Sequence, residues 1–100
     1  MAASMPERGM RLLEEALETA QAAGLGRSTA MGLVERVYSR PVGDLRMEAG
    51  AVGVTLLALA AASGFSADGA EQGETARVMA IPKDEMRRRR ARKVAQGVAI

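Results

Sequence analysis

Three glutamates stand close together in the first apolar segment of the chain, the run Leu12–Glu18. On an α-helix, Glu14 and Glu18 lie one turn apart on the same side, and Glu15 lies about 60° from Glu18. Carboxylates at this spacing can point together into a cleft and supply oxygen ligands to Mg²⁺, while waters and substrate phosphates complete its octahedron. The alternative is a solvated acidic helix face, because Glu is a good helix former.

A further acid, Glu48, precedes the uncharged segment Ala49–Ala67 and follows Asp44 by one helical turn. A carboxylate entering an apolar helix costs free energy unless it is paired or bound to a metal. The same position is also favoured by the helix dipole, which stabilises acids in the first turn. Both interpretations of Glu48 stay open at this point.

The composition excludes several kinds of chemistry. The chain has no cysteine and no histidine, so Ser-His-Asp or Cys-His catalysis and zinc sites with thiolate or imidazole ligands are ruled out. Any reaction must therefore use carboxylates, hydroxyls, Lys and Arg.

Taken together, the pattern Glu15-x-x-Glu18 and the later Glu48 at the start of an apolar helix resemble a known family. It is the family of all-α nucleotide pyrophosphohydrolases called MazG-like, whose pattern is Glu-x-x-Glu, a spacer, then Glu-x-x-Asp. The resemblance extends over residues 11–95 and is carried by the segments Leu12–Glu18, Tyr38–Glu48 and Arg90–Ala95.

This resemblance implies a Mg²⁺-dependent enzyme in which water attacks a nucleoside triphosphate and releases pyrophosphate and the monophosphate. It assigns Glu15, Glu18 and Glu48 as metal ligands and Glu14 as a nearby helper or base. Ala51 occupies the position of the Asp in Glu-x-x-Asp, so one ligand is missing and the activity is expected to be weakened. Asp44 is the candidate substitute ligand.

The charges are unevenly placed along the chain. Residues 1–76 hold 6 basic and 10 acidic side chains, whereas residues 77–100 hold 8 basic and 2 acidic ones. The basic run Arg87–Lys93 has three interpretations: a solvated helix end favoured by the dipole, a phosphate clamp, or a nonspecific nucleic-acid contact. In the clamp, the phosphate-binding residues are Lys93, Arg90 and Arg89. The absence of interleaved aromatics and the acidic remainder of the chain disfavour nucleic acid.

Two other functions follow from these features. A non-catalytic MazG-like oligomer that binds a nucleotide or a protein is favoured by Ala51. The hypothesis of a small helical protein that associates with nucleic acid is supported by the arginine run alone.

Helix signals predict an all-α fold, an antiparallel helical bundle of four to five helices. Residues 1–82 are expected to form the bundle core, and residues 83–100 a basic C-terminal helix or tail of the same domain. The expected helices begin after Ser4, at Ser28 or Thr29, at Leu45, near Ser66 and at Pro82; they end before Gly24, at about Ser39, at Ser63, before Pro82 and at about Gln96.

The expected core is made of small side chains. Only Tyr38 and Phe65 are aromatic, so the core of one chain is marginal, and we expect a homodimer or higher homo-oligomer associated through the third helix. The uncharged segment is expected to be a buried helix rather than a membrane span because Gly, Ser, Thr and Ala dilute it. Residues 1–10 do not resemble a signal peptide, and a cytoplasmic protein without a membrane partner is expected.

Overall fold

The computed structural model describes residues 4–99, and every element in that range is a helix. This confirms the all-α prediction. The five helices are α1 (Met5–Ala22), α2 (Arg27–Tyr38), α3 (Leu45–Ser63), α4 (Ala67–Met79) and α5 (Lys83–Ala95).

Side-chain caps set the starts of three helices. The Ser4 hydroxyl accepts a hydrogen bond from the Glu7 backbone N–H at 3.2 Å, and the Ser66 hydroxyl accepts one from Gly69 at 3.0 Å. Asp44 Oδ2 accepts the Met47 N–H at 3.0 Å. These bonds satisfy backbone donors that the first turn of a helix leaves without an acceptor.

Local backbone interactions also set the end of α3. Gly64 adopts φ +79°, a left-handed conformation that costs glycine little. The Phe65 N–H then donates to the Ala60 carbonyl at 3.1 Å, and the Gly64 N–H donates to Ala61. This is the arrangement that commonly closes a helix before a glycine. The expected bounds of α3 are therefore confirmed.

The described helices fall into two compact units. The first comprises residues 4–40 together with residues 83–99, so it contains α1, α2 and α5; the second is Pro41–Pro82 and contains α3 and α4. The first unit is thus assembled from the two ends of the chain. The expected assignment of residues 1–82 and 83–100 to a single domain stays a prediction.

Burial differs from what the apolar patterns led us to expect. On α1, two leucines one turn apart are open to solvent: Leu13 is 51% exposed and Leu17 is 43% exposed. Of the described residues, only Ala60 among the apolar side chains and Glu7 among the charged ones are fully enclosed. Periodicity shows which face of a helix is apolar, but not what covers it.

Helix α3 shows this most clearly. Among the described residues, Leu45–Ser63 is the one helix long and apolar enough to cross a membrane, judged by length and composition alone; its mean hydropathy is 1.5, and 6% of it is buried. The prediction that this helix lies buried inside the subunit is not met in the described structure. Burial at an interface remains the other expectation.

The cap at Asp44 gives a first prediction. Asp44→Ala should lower the free energy of unfolding by about 1 kcal/mol, because the Met47 N–H loses its acceptor. Urea unfolding followed by circular dichroism measures this change. Asp44→Asn is the matched control, since Asn caps helices as well as Asp does. Equal losses in both variants would show that charge, not capping, is the stabilising factor.

Candidate functional site

The three glutamates of α1 come together as the sequence predicts. One carboxylate oxygen from each of Glu14, Glu15 and Glu18 lies within 4.8 Å of those of the other two. Glu14 is partly shielded, and the other two are exposed. Three hard oxygen donors on one helix face, open to solvent on one side, could hold a metal ion and leave room for waters or a phosphate.

A cation from α5 already contacts this cluster. Lys93 Nζ donates to Glu14 Oε1 at 2.6 Å, and the two side chains are 28% and 37% exposed. The pair joins residues that are 79 positions apart in sequence. A short ion pair that is partly removed from water is stronger than a surface pair, because the water between and around the charges is reduced.

A second contact between the same helices involves Glu7. Its side chain is 2% exposed, and its Oε1 lies 3.6 Å from Arg90 Nη1. The sequence did contain a signal for this role, since Glu7 and Glu14 are seven residues apart and therefore share a face of α1. The sequence does not indicate which of the six basic residues in Arg87–Lys93 contacts Glu7.

The remaining basic side chains of Arg87–Lys93 are also close to acids. Arg87 lies 3.1 Å from Asp84. Glu85 accepts hydrogen bonds from Arg88 at 2.9 Å and from Arg89 at 3.0 Å. Arg92 Nη2 lies 3.6 Å from Glu85 Oε1 and forms an ion pair with it. Hydrogen bonds from Arg88 and Arg89 hold the pKa of the Glu85 carboxyl below its ordinary value.

These pairs bear on the three interpretations of the basic run. Every basic side chain in Arg87–Lys93 lies within 4.0 Å of a carboxylate. Four acids therefore offset much of its positive charge, which weakens the attraction to a nucleic-acid backbone. Of the predicted phosphate-binding residues, Lys93 contacts the acidic cluster itself, Arg90 contacts α1, and Arg89 is held by Glu85.

The other predicted ligands belong to the second unit. Glu48 lies in the first turn of α3, and its carboxylate covers Gly43: a Cβ added to Gly43 would approach Glu48 Oε1 to 2.8 Å. Asp44 uses one carboxylate oxygen as the cap of α3. Ala51 lies one turn further along α3 and is exposed.

Comparison with models of protein families, with curated proteins and with solved structures found no match to this chain.

The contact between Lys93 and Glu14 gives a second prediction. Lys93→Met should raise the affinity of the acidic cluster for Mg²⁺ or Mn²⁺ by up to about tenfold, because removing a nearby cation leaves Glu14 available and the local potential more negative. Isothermal titration calorimetry measures the affinity. Lys83→Met removes the other lysine of the chain and should change the affinity little. Unchanged or weaker binding in Lys93→Met would contradict the expected competition.

Proposed function

We propose that this protein is a Mg²⁺-dependent nucleotide pyrophosphohydrolase that converts a nucleoside triphosphate to the monophosphate and pyrophosphate. The observation that carries the proposal is the convergence of the Glu14, Glu15 and Glu18 carboxylates with an ammonium group, Lys93, at their edge. A cation site beside a basic group suits a ligand that carries phosphates.

The donor set fits the proposed metal. Mg²⁺ prefers oxygen ligands and binds through one or two carboxylates plus waters and phosphate oxygens. Glu15 and Glu18 would hold the ion. When bound, Mg²⁺ would neutralise phosphate charge and lower the pKa of a coordinated water.

The side chains of the protein would bind the phosphates and accept the proton. Lys93 would release the Glu14 carboxylate and bind a phosphate oxygen instead. Glu14 would then be able to accept the proton of the attacking water. The oxygen of that water forms a bond to the α-phosphorus, the bond from this phosphorus to the bridging oxygen of the β-phosphate breaks, and pyrophosphate leaves. Arg90 and Arg89 would offset charge on the departing group.

A second candidate is a protein that binds a nucleotide without turning it over. Ala51 favours it, because an alanine stands where the family pattern has a metal-binding Asp. Fewer carboxylates mean a weaker hold on the ion. Binding without pyrophosphate release, measured on the same sample, distinguishes this candidate from the enzyme.

The proposal predicts that Glu18→Gln abolishes Mg²⁺-dependent pyrophosphate release, because a neutral amide binds a hard cation poorly. Glu14→Gln should lower the rate about 100-fold or more through loss of the base. A panel of nucleoside triphosphates with Mg²⁺, scored for pyrophosphate, provides the assay. Glu35→Gln, an exposed acid on α2, is the control and should retain the wild-type rate. Undiminished turnover in Glu18→Gln would refute the assignment.

Two substitutions in α3 test the part of the proposal that rests on the family pattern. Glu48→Gln should abolish turnover, whereas Ala51→Asp should raise it about tenfold by restoring a carboxylate one turn after Glu48. Circular dichroism should show unchanged helicity in both. If neither substitution changes the rate while Glu18→Gln abolishes it, catalysis depends on α1 without a contribution from α3.

A further inference from the structure

Helix α5 has little apolar surface with which to pack against the rest of its unit. Of its 13 residues, seven are basic and two are acidic, and Met86 and Val94 are the two uncharged side chains larger than alanine. Burial of apolar area can therefore contribute little to the position of α5. Contacts between charged groups have to determine where this helix lies in its unit.

Four arginines of α5 are paired with acids of the same helix. Asp84 contacts one of them and Glu85 the other three: Arg87 with Asp84, and Arg88, Arg89 and Arg92 with Glu85. Pairs between residues this close in sequence stabilise the helix that contains them, but they do not attach it to another helix. The position of α5 depends on the cations that reach beyond it.

Two cations of α5 reach carboxylates of α1 within residues 4–99. Arg90 Nη1 lies 3.6 Å from Glu7 Oε1, and Lys93 Nζ lies 2.6 Å from Glu14 Oε1. The two cations are three residues apart and the two acids are seven apart, so the cations share one face of α5 and the acids one face of α1. One pair alone would let α5 pivot about a single point, whereas both pairs together fix its position and its rotation on α1.

We propose that Glu7 is a positioning residue: by holding Arg90, it keeps α5 in the placement from which Lys93 reaches Glu14. Glu7 lies two turns before Glu14 on α1 and acts on it through Arg90 and α5. The consequence for catalysis rests on the proposed function, since Lys93 lies beside the glutamates that would hold Mg²⁺. The placement of α5 itself requires neither metal nor nucleotide.

A purely structural role for Glu7 makes a different prediction. Glu7 lies in the first turn of α1, where the helix dipole favours an acid. If this were its whole role, Glu7→Gln would weaken the first turn of α1 and leave Lys93 at Glu14. The position of α5, not the stability of the protein, therefore distinguishes the two roles.

The distance between α1 and α5 is the first readout. Because the chain has no native cysteine, spin labels can be attached through Ala16→Cys on α1 and Ala95→Cys on α5. Double electron–electron resonance of the labelled protein should give one narrow distance distribution. Glu7→Gln and Arg90→Gln should each cause loss of the narrow peak, because α5 then keeps a single charged contact with α1.

Arg87→Gln is the matched control, because Arg87 is an arginine of the same helix whose partner, Asp84, also belongs to α5. The narrow distribution should persist in this variant. Exchange of the charges, Glu7→Arg together with Arg90→Glu, should restore the narrow peak that each single substitution loses. A narrow distribution in both Glu7→Gln and Arg90→Gln would overturn the proposal.

The affinity for Mg²⁺ or Mn²⁺, measured by calorimetry, is the second readout. By charge alone, loss of a carboxylate on α1 lowers the affinity for a cation. The positioning role predicts the opposite: Glu7→Gln should raise the affinity by up to about tenfold, because Lys93 no longer competes for Glu14. A fall in affinity would contradict this role. If the unaltered protein binds no divalent ion, the proposed hydrolase fails, and the label distances still decide the role of Glu7.

Discussion

The first unit depends on the contact between the carboxylates of α1 and the cations of α5. Lys93 contacts Glu14, and Arg90 contacts Glu7, so two ion pairs join helices that are far apart in sequence. Little apolar surface is enclosed in this unit to hold the helices together, because the side chains of Leu13 and Leu17 remain exposed to solvent. The specificity of this packing therefore rests on charge.

The same contact connects structure to the proposed chemistry. Glu14 belongs both to the pair with Lys93 and to the group of three acids that could hold a metal ion. A cation entering the cluster competes with Lys93 for Glu14, and a phosphate attracts Lys93 in turn. A metal ion and an anionic ligand should therefore each raise the affinity of the protein for the other. Whichever binds first breaks the ion pair between Lys93 and Glu14, so the second does not have to break it.

The sequence predicted helix bounds better than burial, for a physical reason. Caps such as Ser4, Asp44 and Ser66 act over three or four residues, so their effect can be read locally, and the approximate bounds predicted for α3 agree with the structure. The clustering of the α1 glutamates follows from helical spacing in the same way. The burial of Glu7 and its approach to Arg90 depend on residues more than 80 positions away, and nothing local encodes that choice of partner.

The composition of the first unit has a consequence for how the protein is made. Residues 4–40 pack with residues 83–99, so α1 is synthesised well before α5, and Glu7 approaches Arg90 only after α5 has been made. Until α5 leaves the ribosome, α1 lacks its contacts with Arg90 and Lys93, and the exposed side chains of Leu13 and Leu17 are open to chaperones. The second unit, being continuous in sequence, can form earlier during synthesis.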